Sequence, residues 1–362
     1  ANDVLDDREF LFGKVGPGET REWKVSIDVP KDLPTRHDMV DFTLSGPDAA
    51  FSKKVAETIK INGHDRPHFA FSYSIDDKNG DGVLQNGEDV GLKIIVENNG
   101  KADSAETQVL VKNKSGEAVY LNKGRETIES IAKGKTEALD FSFNIKEIPE
   151  EDHIELELTV LDTAYREFVQ RTIKIPFSSS QHDFNKGKGV ATVKSGPAKL
   201  FVASSANSDV VAMAKKSAKL PIIGELKDWV ELDLGNRRGW IQKSMVELDT
   251  DAKDKLSGVD MRWFQAPRID LQPSTLMTSK KSVKLKGQLM DDATIKDYYI
   301  FVYNREDATK TNSRKLDYTR VGSSESSLST NVPLFKGMNR VTVVSRDEEG
   351  METRQTAFVH RK

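Results

Sequence analysis

Cysteine is absent from all 362 residues, which excludes disulfide staples, thiolate metal sites and thiol nucleophiles at once. No apolar run approaches the ~18 residues that a membrane-crossing helix needs. An excess of one charge is also missing. With 54 basic against 57 acidic residues, no overall field favours nucleic acid or an anionic membrane as a partner. Aromatics make up 7% of the chain and charged residues 31%, the balance of several thin-cored, well-wetted domains rather than one large core. The lack of cysteine suits a periplasmic or otherwise extracytoplasmic setting, although a cytoplasmic protein can lack cysteine too. The opening ANDVLDDREF has neither the basic start nor the apolar segment of an export signal, so any such signal is expected to have been removed or to lie far upstream.

Catalytic signatures are scarce as well. The sequence has no G-x-S-x-G elbow, no H-E-x-x-H pair and no glycine-rich phosphate loop. Of six histidines only His64 and His68 lie close, and they flank a proline, so they cannot share a helix face in the zinc-peptidase manner. The S-x-x-K pair Ser130 and Lys133 falls in a surface turn, which provides none of the desolvation that a lysine base requires, and its expected role is structural. The basic clusters KKSAK (215–219) and NKGKG (185–189) are short and lack interleaved aromatics, as solvated surface does.

What is present is alternation. REWKVSIDV, TQVLVKNK, ALDFSFNI, IELELTV, SVKLKGQL and NRVTVVS place apolar side chains at every second position, the period of a half-buried strand, and Gly, Asn, Asp and Pro punctuate them. Only SDVVAMAKKSAKL, from Ser208, offers a short helix alternative. The fold class is therefore all-β, a multi-domain array of sandwiches with one small barrel.

An internal repeat organises the first half. KVGPGETREWKVSIDV (14–29) aligns without gaps on SIAKGKTEALDFSFNI (130–145), setting Trp23, Val25 and Ile27 against Leu139, Phe141 and Phe143. ETIKI at 57–61 matches RTIKI at 171–175 at almost the same offset. The second copy is preceded by about three further strands and the first is not. The first copy is thus expected to be a sandwich lacking its N-terminal strands, within a larger protein, or else a small divergent domain that needs fewer strands. Polar stretches at 178–189 and 249–258 read as linkers. The expected domains are 1–66 and 67–178 as sandwiches, 188–250 as a barrel and 264–362 as a terminal sandwich.

The stretch DDKNGDGVLQNGED raises a metal question. From Asp77 the spacing D-x-N-x-D-G-x5-E puts Asp77, Asn79, Asp81, Gly82 and Glu88 at positions 1, 3, 5, 6 and 12 of a calcium loop, with the Val83 carbonyl at 7 and Gln85 at 9. Its flanks are strands, not the helices of an EF-hand. The same residue types would also cap their own backbone in a plain inter-strand turn, so Ca2+ binding and a turn are both open readings. Trp229, Trp240 and Trp263 are candidates to line a ligand groove in or beside the barrel, or else belong to its core.

Three resemblances follow from these residues. Residues 188–250, with WVEL at Trp229 and GWI at Gly239 to Ile241, resemble a bacterial SH3-like domain. The pattern Leu334, Gly337, Asn339, Val341, Val343 followed by an EEG turn is similar to immunoglobulin-like bacterial modules. Residues 6–250 together, through DREFLFGKVGPGETREWKVSIDVPKDLPTRHD and RPHFAFSYSIDDKNGDGVLQNGEDV, resemble the C-terminal, non-catalytic region of tail-specific (carboxyl-terminal processing) serine peptidases from predatory or gliding bacteria. The resemblance implies a binding or scaffolding role beside upstream PDZ and Ser-Lys peptidase domains, acting on polypeptide substrates. Neither upstream domain is present in this sequence, so no catalytic residue carries over. The competing expectation is a stand-alone cell-envelope adhesin or peptidoglycan-binding protein.

Overall fold

Alternation becomes strand almost wherever a partner strand lies beside it. The structure is a computed structural model and describes residues 4–5, 8–46, 52–304 and 313–362. The chain forms two compact units, one of Arg66–Ala266 and one combining Ala1–Asp65 with Pro267–Lys362. The four expected segments are thus distributed over two units, the first and last sharing one.

The N-terminal part of the second of these units is an antiparallel ribbon of β1 (Arg36–Ser45) and β2 (Ser52–Ile61), in register from Arg36 opposite Ile61 to Ser45 opposite Ser52. The strand expected at REWKVSIDV is not formed, and residues 8–35 contain no strand. Trp23 is 52% exposed, in T-shaped contact with the rings of Phe10 and Phe12, and Val25 is 47% exposed. The reason is the ladder. An alternating segment needs neighbouring N–H and C=O groups to become a strand, and among the described residues no strand pairs with this one.

In Arg66–Ala266 the repeat's second copy is complete. It comprises β3 (Phe69–Asp76), β4 (Asp89–Asn98), β5 (Thr107–Asn113), β6 (Val119–Lys123), β7 (Arg125–Ile128), β8 (Thr136–Ile145), β9 (His153–Asp162) and β10 (Phe168–Pro176). One sheet runs β3-β4-β8-β6 and the other β10-β9-β5-β7. Their inward faces bury Phe71, Tyr73, Ile94, Phe143, Leu156 and Ile173 at 0% exposure, the core of an aligned sandwich.

The barrel follows. β11 (Asn185–Lys186), β12 (Val190–Val193), β13 (Ala198–Phe201), β14 (Val210–Glu225), β15 (Trp229–Asp233), β16 (Arg238–Gln242) and β17 (Val246–Asp249) form one sheet, in which the path β13-β16-β15-β14 closes on itself through the β13–β14 pairing. The stretch with helix-like spacing is β14, a 16-residue strand. Its first half pairs with β13 and its second with β12 and β15, and Ser217 sits at φ 63 between the halves. That bend lets one strand serve two sides of a small barrel, which breaks the period-two pattern in the sequence. Neither polar linker is merely a linker: β11 pairs with β14, and β18 (Ser257–Met261) does so too, while β19 (Phe264–Gln265) adds to β3 of the sandwich.

The C-terminal strands are β20 (Arg268–Pro273), β21 (Met277–Thr278), β22 (Ser282–Tyr303), β23 (Ser313–Pro333), β24 (Gly337–Asp347) and β25 (Glu352–Arg361). β22 pairs with β20 in its first half and β24 in its second, with register shifts between Met290 and Ile295, as strands do that turn a corner between layers. Val283, Leu285, Ile300, Leu328, Val341 and Val343 fill the core. Asn339 is 0% exposed and closes the turn before β24, its Oδ1 accepting from Phe335 N at 2.7 Å and its Nδ2 donating to Phe335 O at 2.8 Å. The Leu-Gly-Asn-Val-Val signature is therefore a packing and turn device.

Candidate functional site

The Asp-rich loop connects β3 to β4 and folds on its own side chains. Asp77 Oδ2 accepts from Gly82 N at 2.8 Å, Asn79 Oδ1 from Asp81 N at 2.9 Å and Asp81 Oδ1 from Val83 N at 3.0 Å. Gln85 N donates to Glu88 Oε2 at 2.8 Å, and Gln85 Nε2 reaches both oxygens of Asp81 at 3.2 and 3.0 Å. Asn79 Nδ2 donates to Gln85 Oε1 at 2.7 Å. Gly80, Gly82 and Gly87 all hold φ between 75 and 82, which lets the chain reverse within so few residues. Five of the six expected metal-ligating positions, Asn79 through Glu88, thus meet in one hydrogen-bonded cluster, and Asp77 is tied to it through Gly82.

The electrostatics are one-sided. Asp81 is fully buried, and Gln85 and Glu88 are buried beside it. Burial, reinforced by the charges of Asp81 and Glu88, lifts the Asp77 carboxyl to about 7 against the lowering effect of the Gly82 N–H. Glu88 is also pushed up, by burial and by Asp81, with only Lys78 opposing as a charge. Among the described residues no three His, Asp or Glu side chains converge as metal ligands do. The donor types are nevertheless carboxylate, amide and carbonyl oxygen, the hard set that suits Ca2+ or Mg2+ and not soft transition metals. The excess negative charge is what a cation would neutralise.

The barrel side of the unit clamps this loop, a contact that sequence reasoning missed. Ser204 Oγ donates to Asp81 O at 2.7 Å and Ser204 N to Gly82 O at 3.2 Å. His182 N donates to Asp81 Oδ2 at 3.0 Å. Trp240 lies against Gly82 so closely that a Cβ there would stand 2.5 Å from the indole, and Phe184 meets the same indole edge-on, ring centroids 6.1 Å apart. Both His182 and Phe184 come from the supposed linker, where Phe184 is the one large apolar residue in SSSQHDFNKGKG. That lone Phe in a polar run was the available signal.

The groove expectation is corrected in part. Trp240 is 3% exposed and packs in the seam, so it does not line an open groove. Trp229 is half-buried and stands edge-on to Phe201. Trp263, also half-buried, lies under the Arg237 guanidinium at 4.6 Å. Arg237 is itself 4% exposed, and burial draws it down to about 10, opposed by the Glu97 charge. Ser130 Oγ donates to Ser104 O at 2.7 Å, tying the β7–β8 connection to the β4–β5 one, which fits the structural reading of the S-x-x-K pair.

A second polar knot joins sandwich and barrel. Arg171 of β10 makes a two-pronged pair with Asp209, at 2.7 and 3.0 Å, and Tyr73 of β3 donates to the same carboxylate at 2.6 Å. The Arg171 guanidinium also sits 4.1 Å from the centre of the Phe264 ring. Asp209→Ala would remove the two-pronged partner of a mostly buried guanidinium and an acceptor of the Tyr73 hydroxyl. The expected cost is about 3 kcal/mol in chemical denaturation, with a smaller loss for Asp209→Asn, which keeps an acceptor for Tyr73.

No family model and no curated relative matches this chain. Among solved structures it is similar, at 11% identity, to red sea bream transglutaminase over 81% of this chain and 31% of that one (TM-score 0.21). It is similar to the secreted serine protease VesC from Vibrio cholerae at 11% identity over 80% and 51% (TM-score 0.20). Salmonella alpha-2-macroglobulin reacted with methylamine matches at 10% identity over 89% and 26% (TM-score 0.22). The chain thus spans between about a quarter and a half of those proteins, and at these scores none bears on function.

Proposed function

We propose that this chain is a non-catalytic binding and scaffolding region of an exported tail-specific serine peptidase, with Ca2+ held in the 77–88 loop. In this reading it positions or restrains polypeptide substrates for a catalytic domain outside the sequence. The observation that supports it is the clamp. The loop with the calcium spacing is gripped by Ser204, His182 and Trp240, so a cation there would stiffen the joint between two β modules. A scaffold needs that property, and Asp77, Asn79, Asp81, Val83, Gln85 and Glu88 would be its ligands. Several weak contacts on one stiff frame would then act together, because each docking raises the effective concentration for the next.

Calcium titration is the direct test. Added Ca2+ should raise the melting temperature in a concentration-dependent way, since a ligand of the native state stabilises by mass action. Asp81→Ala should remove the response. A parent that does not respond, or a variant that responds like the parent, would leave the loop as a turn only. For the peptidase setting, an antibody against this chain should detect in its native envelope either a species well above 40.4 kDa or a 40.4 kDa piece that co-purifies with a serine hydrolase. A lone 40.4 kDa species would favour the wall-binding adhesin, for which half-buried Trp229 is the remaining barrel candidate.

A further inference from the structure

The second half of β22 has one face in the core and one outside it. Tyr298, Ile300 and Val302 are 7%, 0% and 1% exposed and point inward, so Asp297, Tyr299, Phe301 and Tyr303 stand on the outer face. Residues directly opposite one another across a ladder share a face. The pairings therefore add Lys315, Tyr318 and Arg320 from β23, Arg340 and Arg346 from β24, and Glu352 and Arg354 from β25. Lys296 and Glu348 lie at one end of this face, and Asp317 lies at the bulge of β23 on its edge.

Both carboxylates of the face are already engaged. Asp297 is 0% exposed and accepts from Arg346 Nε at 2.8 Å, Arg346 Nη2 at 2.6 Å and the Tyr318 hydroxyl at 3.0 Å. Glu352 accepts from Arg354 Nε at 2.7 Å and from the Tyr299 hydroxyl at 3.3 Å. The rings in turn hold cations. Lys315 Nζ stands 4.8 Å from the centre of the Tyr299 ring and 5.4 Å from that of Tyr318, the Arg346 guanidinium 5.5 Å from Tyr299, and the Arg340 guanidinium 5.2 Å from Tyr303. Lys315, Arg320, Arg340 and Arg354 are exposed, and Tyr318 is 46% exposed. Among the described residues Lys315, Arg320 and Arg340 make no ion pair, so the face keeps a surplus of positive charge. The near-balance of 54 basic and 57 acidic residues over the whole chain conceals it.

We propose that this outer face of β22 to β25 is a docking surface for an acidic polypeptide segment, whose carboxylates pair with Lys315, Arg320, Arg340 and Arg354. The proposal rests on the polypeptide-binding part of the reading above and is independent of its calcium and peptidase parts. Charge complementarity fixes the sign of the partner. The kind of partner follows from composition: tyrosine and arginine dominate the energetic centres of protein interfaces, and here four arginines and three tyrosines stand beside a single lysine. The guanidinium fork matches a carboxylate in two places at once. Contacts with the rings and with Asp297 hold the cations before a partner arrives, which lowers the ordering cost of binding. The same contacts disfavour single-stranded nucleic acid, whose bases need ring faces to stack on, because those of Tyr299 and Tyr303 already carry Lys315, Arg346 and Arg340.

The test uses the full chain and a labelled synthetic peptide of alternating Glu and Ala, beside the same peptide with Gln in place of Glu. The Glu peptide should bind saturably and less tightly as salt is added, and the Gln peptide should not bind. Lys315→Glu combined with Arg340→Glu should weaken binding about tenfold or more, with a melting curve near the parent's because both side chains are exposed. Lys188→Glu combined with Lys255→Glu makes the same change of net charge at exposed positions outside the face and should leave binding as it was. If the first pair unfolds the chain, Lys315→Gln with Arg340→Gln serves the same purpose. No saturable binding of the Glu peptide, or an equal loss in both pairs of variants, would overturn the proposal. So would tighter binding of oligo-dT, polygalacturonate or phosphatidylglycerol vesicles, or a dimer of the parent chain that the Lys315 and Arg340 variants dissociate, since the occupant would then be a different one. None of these outcomes alters the calcium titration or the native-mass measurement, so a failure here and a failure of the peptidase reading are separable.

Discussion

Gly82→Ala is expected to be among the most destabilising single-methyl additions in the chain. Gly82 holds φ 75, where an L side chain strains the backbone, and its new Cβ would sit 2.5 Å from the Trp240 indole, against a ring wedged by Phe184. Left-handed strain costs about 1 to 2 kcal/mol and forced overpacking about 1 to 3 more, so the expected loss is roughly 2 to 5 kcal/mol in urea denaturation. Trp240→Ala removes the ring instead and should cost about 3 to 5 kcal/mol through the cavity it leaves. The double variant is the decisive measurement. With the indole gone the added methyl has room, so Gly82→Ala in the Trp240→Ala background should cost only its backbone part, a coupling of about 1 to 3 kcal/mol. Strict additivity would mean that Gly82 and Trp240 are not in contact and that the loop is not clamped.

That contact also marks where sequence reasoning stops. The loop's internal chemistry was legible because it is local: Asp77, Asn79, Asp81, Gln85 and Glu88 reach one another across at most 11 positions, and their spacing encodes the turn. The clamp was not, because Ser204 and Trp240 lie more than 100 residues from Gly82 and nothing in their neighbourhoods marks them as loop contacts. Alternation correctly gave the strands of the sandwiches, where each strand keeps one face inward. It failed in both directions at the margins. β14 turns a barrel corner at Ser217 and reads as a helix, whereas REWKVSIDV carries a clean period of two and forms no strand. Pattern states which face a strand would bury. Whether the strand exists depends on a neighbour, and the ladder is a tertiary fact.

Replacing Asp77 by Asn should remove the pH dependence that this carboxyl imposes. In the folded chain the Asp77 carboxyl titrates near 7 rather than at 3.8, so between those values the native state holds a proton that the unfolded state has released. Stability therefore falls as pH rises through this window and levels off above about 7, where the carboxylate is ionised in both states. A shift of this size corresponds to about 4 kcal/mol as an upper figure, shared with Asp81 and Glu88 because the three charges act on one another. Asp77→Asn keeps an oxygen for the Gly82 N–H and removes the charge. At pH 8 without calcium it should thus be more stable than the parent, and at pH 4 close to it. The Asp297 carboxyl works in the opposite sense, held below its usual range chiefly by hydrogen bonding to Arg346, so its contribution is lost only as pH falls below the carboxylate range and does not mask the difference. Saturating Ca2+ should restore the parent at pH 8 and do nothing for the variant. As pH drops through 7 the ion has to displace the proton on Asp77, so apparent calcium affinity should fall by up to about tenfold per pH unit. A parent-minus-variant difference that stays flat from pH 4 to 8 would mean that Asp77 is ionised throughout and that the loop needs no cation to settle its charge.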